Sequence, residues 1–252
     1  MGKIAVITGA TSGIGQSTTF KLAQNGFDVI ITGRRCDRLQ EFEEKLKSMN
    51  IRVLSLCFDV RNEDEVIKNL GNLPEEWQHV DVLVNNAGLA AGLSPIQDGD
   101  TDDWNRMIDT NIKGLLYVTK AISPYMIARK RGQIINLGSI AGKEVYPFGN
   151  VYCATKHAVD ALTKSMRIDM LRYNIKVTQI CPGAVETEFS LVRFHGDKEK
   201  ADRVYAGYEN LVADDIAECI WFCVSRPEHV NINDMIVMPS AQATASLFHK
   251  VP

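Results

Sequence analysis

Short runs that are apolar at nearly every position, with helical stretches between them, constrain this chain more than any other feature. Ile4–Thr8, Val29–Thr32, Val53–Phe58, Val80–Asn85, Gln133–Leu137, Lys176–Cys181 and Met235–Met238 each read as a strand. A strand apolar on both faces must be covered on both, which parallel sheets achieve by carrying helices above and below. The intervening segments supply the helices: Gln16–Asn25, Cys36–Met49, a helix capped by Asn62 and running to Leu70, Val151–Arg172 and Asp214–Cys223. A longer helical region runs from Thr101, read as its cap, to Arg129 with a break expected near Gly114. Pro182–Asn210 reads as irregular, with a short helix. The expectation is an α/β fold, a doubly wound parallel sheet of about seven strands with helices on both faces. No Pro/Gly/Ser-rich linker or repeat interrupts residues 1–252, so one domain is expected.

Composition removes several function classes. A net charge of -3 argues against a basic nucleic-acid footprint. No run of about 18 apolar residues is present, so no membrane-spanning helix is expected. Met1–Thr8 has no charged segment leading into a long apolar one, so a cytoplasmic protein without a secretory leader is expected. The six cysteines form no Cys-x-x-Cys pair and read as buried free thiols. With no histidine at ligand spacing from Cys219 and Cys223, no metal site is expected.

The turn after the first strand, Thr8-Gly9-Ala10-Thr11-Ser12-Gly13-Ile14-Gly15, opens the first helix. In a Rossmann fold this is where a pyrophosphate rests on the positive end of a helix. Glycine lets the backbone turn tightly and approach the phosphates. No Gly-Lys-[Ser/Thr] follows, so it is not a Walker A loop. The second strand ends Gly33-Arg34-Arg35, where an NAD-binding chain would carry an acidic residue for the ribose 2′-hydroxyl. Two guanidiniums suit a 2′-phosphate instead, so NADP is the expected cofactor. Asp59-Val60 and Asn86-Ala87-Gly88 lie at the carboxyl ends of the third and fourth strands, where ligands bind in open α/β sheets. Asp59 could accept from the adenine amino group.

Ser139 follows the fifth strand, and Tyr152 and Lys156 are one helical turn apart on a shared face. A hydroxyl, a phenol and an ammonium brought together can pass a proton to or from a carbonyl oxygen. A phenol titrates near 10 when unperturbed, so Tyr152 needs its charged form stabilised. Lys156 is expected to supply that charge and lower the phenol's pKa.

Together, Thr8–Gly15, Asn85–Gly88, Asn111, Ser139, Tyr152-x-x-x-Lys156 and Pro182-Gly183 resemble the short-chain dehydrogenase/reductase family in order and spacing over nearly the whole chain. The resemblance implies a single-domain Rossmann fold and four catalytic residues, Asn111, Ser139, Tyr152 and Lys156. Asn111 would hold a water that relays protons to Lys156. Gly9, Thr11, Ser12, Gly13, Ile14, Arg34, Arg35, Asp59, Val60, Asn86 and Gly88 would line the cofactor, and Tyr152 and Lys156 would also touch it. Pro182, Gly183, Val185 and Thr187 would meet the nicotinamide carboxamide. Residues 189–210 would be a lid, and the long helices would pair subunits into a homotetramer. The tail Ser240–Pro252 would pack on a neighbour.

Thr187–Ser190, Val192-Arg193-Phe194 with Gly196-Asp197, and Pro227–Asn233 narrow the resemblance to NADP-dependent 3-hydroxy acid dehydrogenases, which implies serine, allo-threonine, 3-hydroxyisobutyrate or 3-hydroxypropionate/malonic semialdehyde as substrate types. Ser139 and Tyr152 would then hold the substrate's hydroxyl. Arg193 is either the ligand of its carboxylate or a surface arginine on a lid helix. His195 is either pocket lining or a solvated loop residue, and His157 reads as packing or surface. A 3-oxoacyl carrier-protein reductase would favour a basic surface by the lid, and Asp197–Arg203 is mixed in sign. A dinucleotide-binding sensor without turnover would be expected to lack the tyrosine or the lysine, and both are present.

Overall fold

The computed structural model describes residues 2–251; Met1 and Pro252, the outer limits of the expected domain and tail, lie outside the described residues. Seven strands form one sheet: β1 (Ile4–Thr8), β2 (Asp28–Gly33), β3 (Val53–Cys57), β4 (Val80–Asn85), β5 (Gly132–Leu137), β6 (Ile175–Pro182) and β9 (Asp234–Val237). Their order is β3-β2-β1-β4-β5-β6-β9, and every neighbouring pair is parallel. Two short strands, β7 (Val185–Glu186) and β8 (Leu211–Val212), pair apart from it.

Alternation along each strand feeds two cores. Ile4 and Val6 of β1 and Ile134 of β5 face one side. There they meet Val66 and Leu70 of α3 (Glu63–Leu70), Val118, Ile122 and Met126 of α5 (Leu115–Arg129), and Val159 and Met166 of α6 (Asn150–Met170). Ala5, Ile7 and Ile135 face the other side. They pack on Leu22 of α1 (Gly13–Gln24), Leu39 and Phe42 of α2 (Cys36–Lys47), and Ile216 and Ile220 of α9 (Ala213–Val224). Fully burying one such side chain contributes about 1.5–3 kcal/mol.

The strand order reverses between β1 and β4, so the carboxyl ends of these strands splay apart and leave a crevice. α4 (Thr101–Ile108) is capped by Asp100, whose carboxylate accepts from the Asp102 amide at 2.8 Å, and not by Thr101. The break expected near Gly114 is a π-helical turn over Asp109–Gly114 that joins α4 to α5. α6 has the expected extent. Pro182–Asn210 carries two helices where one was expected, α7 (Phe189–Arg193) and α8 (Lys198–Tyr205).

One expectation changes. Cys36 and Cys57 are joined as a disulfide, so only Cys153, Cys181, Cys219 and Cys223 are free thiols. Parallel pairing sets Gly33 beside Cys57 and so brings the start of α2 to the end of β3. The tail also has contacts within its own chain, which do not bear on its expected packing on a neighbour: the Val251 amide donates to the Gly207 carbonyl, and the Phe248 ring lies tilted against Tyr208 at 5.1 Å.

Candidate active site

A cavity of about 740 Å³ opens at the crevice and runs from Arg34 and Arg35 to Arg193 and Phe194. Among the described residues its walls include the glycine turn, Arg34, Arg35, Asp59, Val60, Asn86, Gly88, Ser139, Tyr152, Lys156 and Arg193; Asn111 lies just behind Gly88, and Pro227–Asn233 does not reach it.

The glycine turn forms the cavity's floor. A Cβ on Gly15 would lie 2.3 Å from the Gly9 carbonyl oxygen and 2.4 Å from Asn86 Nδ2, so no larger residue fits there. Gly9 and Gly13 have φ of 67° and 52°, in the left-handed region that glycine enters without strain. Asn86 clamps this turn by donating from Nδ2 to the carbonyls of Thr8 at 2.8 Å and Gly9 at 3.2 Å. Ser12, Gly13 and Ile14 at the start of α1 line the cavity, and a helix N-terminus with its unpaired amides favours an anion.

At one end the Arg35 guanidinium lies over the turn, donating to Thr11 Oγ at 3.0 Å and Ser12 Oγ at 2.6 Å. Arg34 is 3.6 Å from the Asp59 carboxylate, which also holds Arg61 at 2.7 Å. The hydrogen bonds and charge of these arginines keep the Asp59 carboxyl below the ordinary range against the opposing pull of burial. Asp59 and Val60 line this end, with Gly33 and Phe58.

At the other end Tyr152 and Lys156 are both buried, at 8% and 7% exposure. Lys156 Nζ donates to the Leu137 carbonyl at 2.8 Å and lies 5.9 Å from the Tyr152 ring. Burial lowers the lysine's pKa to about 8. Burial also pushes the Tyr152 phenol up, with Ser139 and Arg193 pulling the other way. Lys156 does not produce the expected depression, because desolvation dominates and the ammonium is turned to the Leu137 carbonyl. Ser139 caps a short turn, its Oγ accepting from the Ala141 amide at 3.1 Å.

Asn111 sits in the π-turn with both Nδ2 hydrogens and one Oδ1 lone pair engaged. Its Oδ1 accepts from the Leu89 amide at 2.9 Å, and its Nδ2 donates to the Leu89 carbonyl at 2.8 Å and Thr155 Oγ at 3.0 Å. A Cβ on Gly88 would lie 3.2 Å from Asn111 Oδ1 and 3.7 Å from Lys156 Nζ, so Gly88 lets the two side chains come near each other. The extra residue of a π-turn re-aims one side chain out of the helical register, and such turns recur at functional sites.

Pro182, Gly183, Val185 and Thr187 line the cavity beyond β6. Thr187 packs against Gly13, where an added Cβ would meet it at 3.3 Å. Ala184 is held by its amide donating to Gln242 Oε1 at 2.8 Å.

Arg193 reaches back from α7 into the catalytic end. Its Cζ is 5.3 Å from the Tyr152 ring and 5.4 Å from the Tyr146 ring. One Nη donates to the Tyr146 hydroxyl, and its buried Nε has no partner. Among the described residues no carboxylate pairs with it. Arg106, a half-exposed cation that also lines the cavity, is paired with Asp103 at 3.2 Å. The same carboxylate takes His195 Nε2 at 3.0 Å, so His195 ties the segment after α7 to α4. His157 bonds the Cys153 carbonyl at 2.9 Å.

Sequence reasoning missed Arg38, Tyr146, Glu188, Gln242 and Phe248. Gln242 and Phe248 come from the far end of the chain, and no motif marks them.

The pyrophosphate-sized glycine floor, the cationic end and the buried tyrosine–lysine end are the parts of a dinucleotide-dependent oxidoreductase site, and the residues present fit an NADP-type cofactor. The sequence matches the family described as short chain dehydrogenase over residues 3–197, and the chain belongs to that family. It is 48% identical over 244 residues to a probable NADP-dependent dehydrogenase of Haemophilus influenzae, covering 96% of each chain. It is 46% identical over 245 residues to an NADP-dependent 3-hydroxy acid dehydrogenase of Salmonella typhi, covering 97% of this chain and 98% of the other. A solved serine dehydrogenase complexed with NADP+, in its closed form, superposes with a TM-score of 0.92 at 44% identity, covering 99% of this chain and 100% of the other. No helix among the described residues is long and apolar enough to cross a membrane.

Proposed function

We propose that this chain is an NADP-dependent dehydrogenase that interconverts short 3-hydroxy acids and their 3-oxo forms. The observation that carries the substrate class is Arg193: a guanidinium with a buried, unpartnered Nε, beside the Tyr152 ring and without a carboxylate partner. A guanidinium fork matches a carboxylate. Its place beside the tyrosine suits an acid whose hydroxyl is separated from the carboxylate by a short carbon spacer. Two of the similar proteins, the 3-hydroxy acid dehydrogenase of Salmonella typhi and the serine dehydrogenase, are named for such acids, which supports the reading.

When bound, the nicotinamide accepts or donates the hydride. The protein's own groups handle the proton. In oxidation Tyr152 Oη takes the substrate hydroxyl proton, and in reduction it returns one. Ser139 donates a hydrogen bond to the substrate oxygen and orients it. Lys156, charged below about pH 8, stabilises the tyrosinate when its ammonium swings from the Leu137 carbonyl toward the phenol, and holds ribose hydroxyls. Asn111 positions a water beside Lys156 that resupplies the proton from solvent. Arg34 and Arg35 take the 2′-phosphate, and the segment 189–210 closes over the substrate to exclude water. The protein works as a homotetramer in the cytoplasm.

Arg193→Ala tests the reading. KM for a 3-hydroxy acid should rise by about tenfold or more, and KM for an uncharged alcohol should not. Equal losses on both substrates would defeat it.

A further inference from the structure

The arginine end of the cavity holds an anion of the chain's own. Both oxygens of the Glu188 carboxylate are engaged: Oε2 by Arg35 Nη1 at 2.7 Å and Oε1 by Arg38 Nη1 at 2.7 Å. Arg35 is the same side chain that lies on Thr11 and Ser12. Arg38 is in the first turn of α2 and outside the Gly33-Arg34-Arg35 signature. Glu188 is 153 residues from Arg35 and immediately precedes α7, so this one carboxylate ties the start of the expected lid to the arginine turn. Thr187, just before it, packs on Gly13 of the phosphate-binding floor.

We propose that Glu188 is a cofactor-specificity residue that stands in for the 2′-phosphate on Arg35 and Arg38 and is displaced from them when that phosphate binds. This rests on the NADP reading above. A phosphomonoester carries about −1.5 to −2 charge near neutral pH, against −1 for the carboxylate, and makes forked bonds to the same guanidiniums. The glutamate pairs are partly exposed, with side chains 41–49% accessible, and exposed pairs are individually weak. The phosphate therefore outcompetes them. A dinucleotide bearing only a 2′-hydroxyl does not, and leaves the tie in place. Cofactor choice is thereby coupled to the freedom of the segment that carries Arg193 to the substrate.

The test separates the phosphate from the rest of the cofactor. Calorimetry compares adenosine 2′,5′-bisphosphate with adenosine 5′-monophosphate on wild type and Glu188→Gln. The variant should bind the bisphosphate about three- to tenfold more tightly than wild type, with the monophosphate changed less than about twofold. Hydrogen exchange at residues 188–193 of wild type should speed up with the bisphosphate and not with the monophosphate. In Glu188→Gln it should already be fast without ligand. A bisphosphate affinity that is unchanged or weakened in the variant, or exchange that ignores the 2′-phosphate, overturns the proposal. A wild type that does not prefer the bisphosphate at all overturns the NADP reading itself.

Discussion

Lys156 puts a charged group where the fold least tolerates one, and its removal should stabilise the protein while abolishing its chemistry. Burial lowers its pKa from 10.5 to about 8. At about 1.4 kcal/mol per unit, keeping this ammonium charged inside the folded protein costs on the order of 3 kcal/mol. Lys156→Met keeps the packing volume and removes the charge. It also strips the Leu137 carbonyl of its donor, which costs about 1 kcal/mol. The net gain at pH 7 is about 2 kcal/mol, or a Tm rise of roughly 4–8 °C for a chain of this size. The pH dependence follows from linkage. Between about pH 8 and 10.5 the unfolded lysine binds a proton that the folded one has lost, so wild-type stability rises with pH through that window. The variant has no such term, and its advantage should close near pH 9.5. Urea denaturation of both proteins at pH 7 and pH 9.5, at one protein concentration, reads the difference. A Lys156→Met protein less stable than wild type at pH 7, or an advantage that does not shrink with pH, would refute the reasoning.

Gly15→Ala should lose dinucleotide binding by at least about tenfold and destabilise by about 1–3 kcal/mol, because its Cβ would lie 2.3 Å from the Gly9 carbonyl; fluorescence titration and thermal melts check this. Under non-reducing denaturing conditions, thiol titration should count four free thiols, rising to six after reduction, since Cys36 and Cys57 are paired. Arg35→Ala should weaken NADP+ binding by about tenfold or more and leave NAD+ within about twofold, read by calorimetry.

The features legible in the sequence were the local ones. Apolar strands announced a sheet covered on both faces, and the glycine turn, Ser139, Tyr152 and Lys156 fall where the pattern puts them. What stayed hidden depended on distant partners. Glu188 meets Arg35 across 153 residues, and Gln242 reaches Ala184 across 58. Cys36 and Cys57 are 21 residues apart with no motif spacing, and only parallel pairing of β2 with β3 brings them together. Thr101 reads as a cap by residue type, and only the folded backbone shows that its neighbour Asp100 takes the position. The Tyr152 phenol shifts upward because burial is a property of the packed fold, whereas charge proximity can be read from spacing.

The central claim, a carboxylate-bearing substrate oxidised with a 2′-phosphorylated dinucleotide, is tested most directly by initial rates at the reduced-nicotinamide band. 3-Hydroxypropionate is compared with 1-propanol, each with NADP+ and with NAD+. The account predicts kcat/KM at least about tenfold higher for the acid than for the alcohol, and higher with NADP+ than with NAD+. Equal rates on acid and alcohol, or no turnover of 3-hydroxypropionate, serine or 3-hydroxyisobutyrate with NADP+, would contradict it.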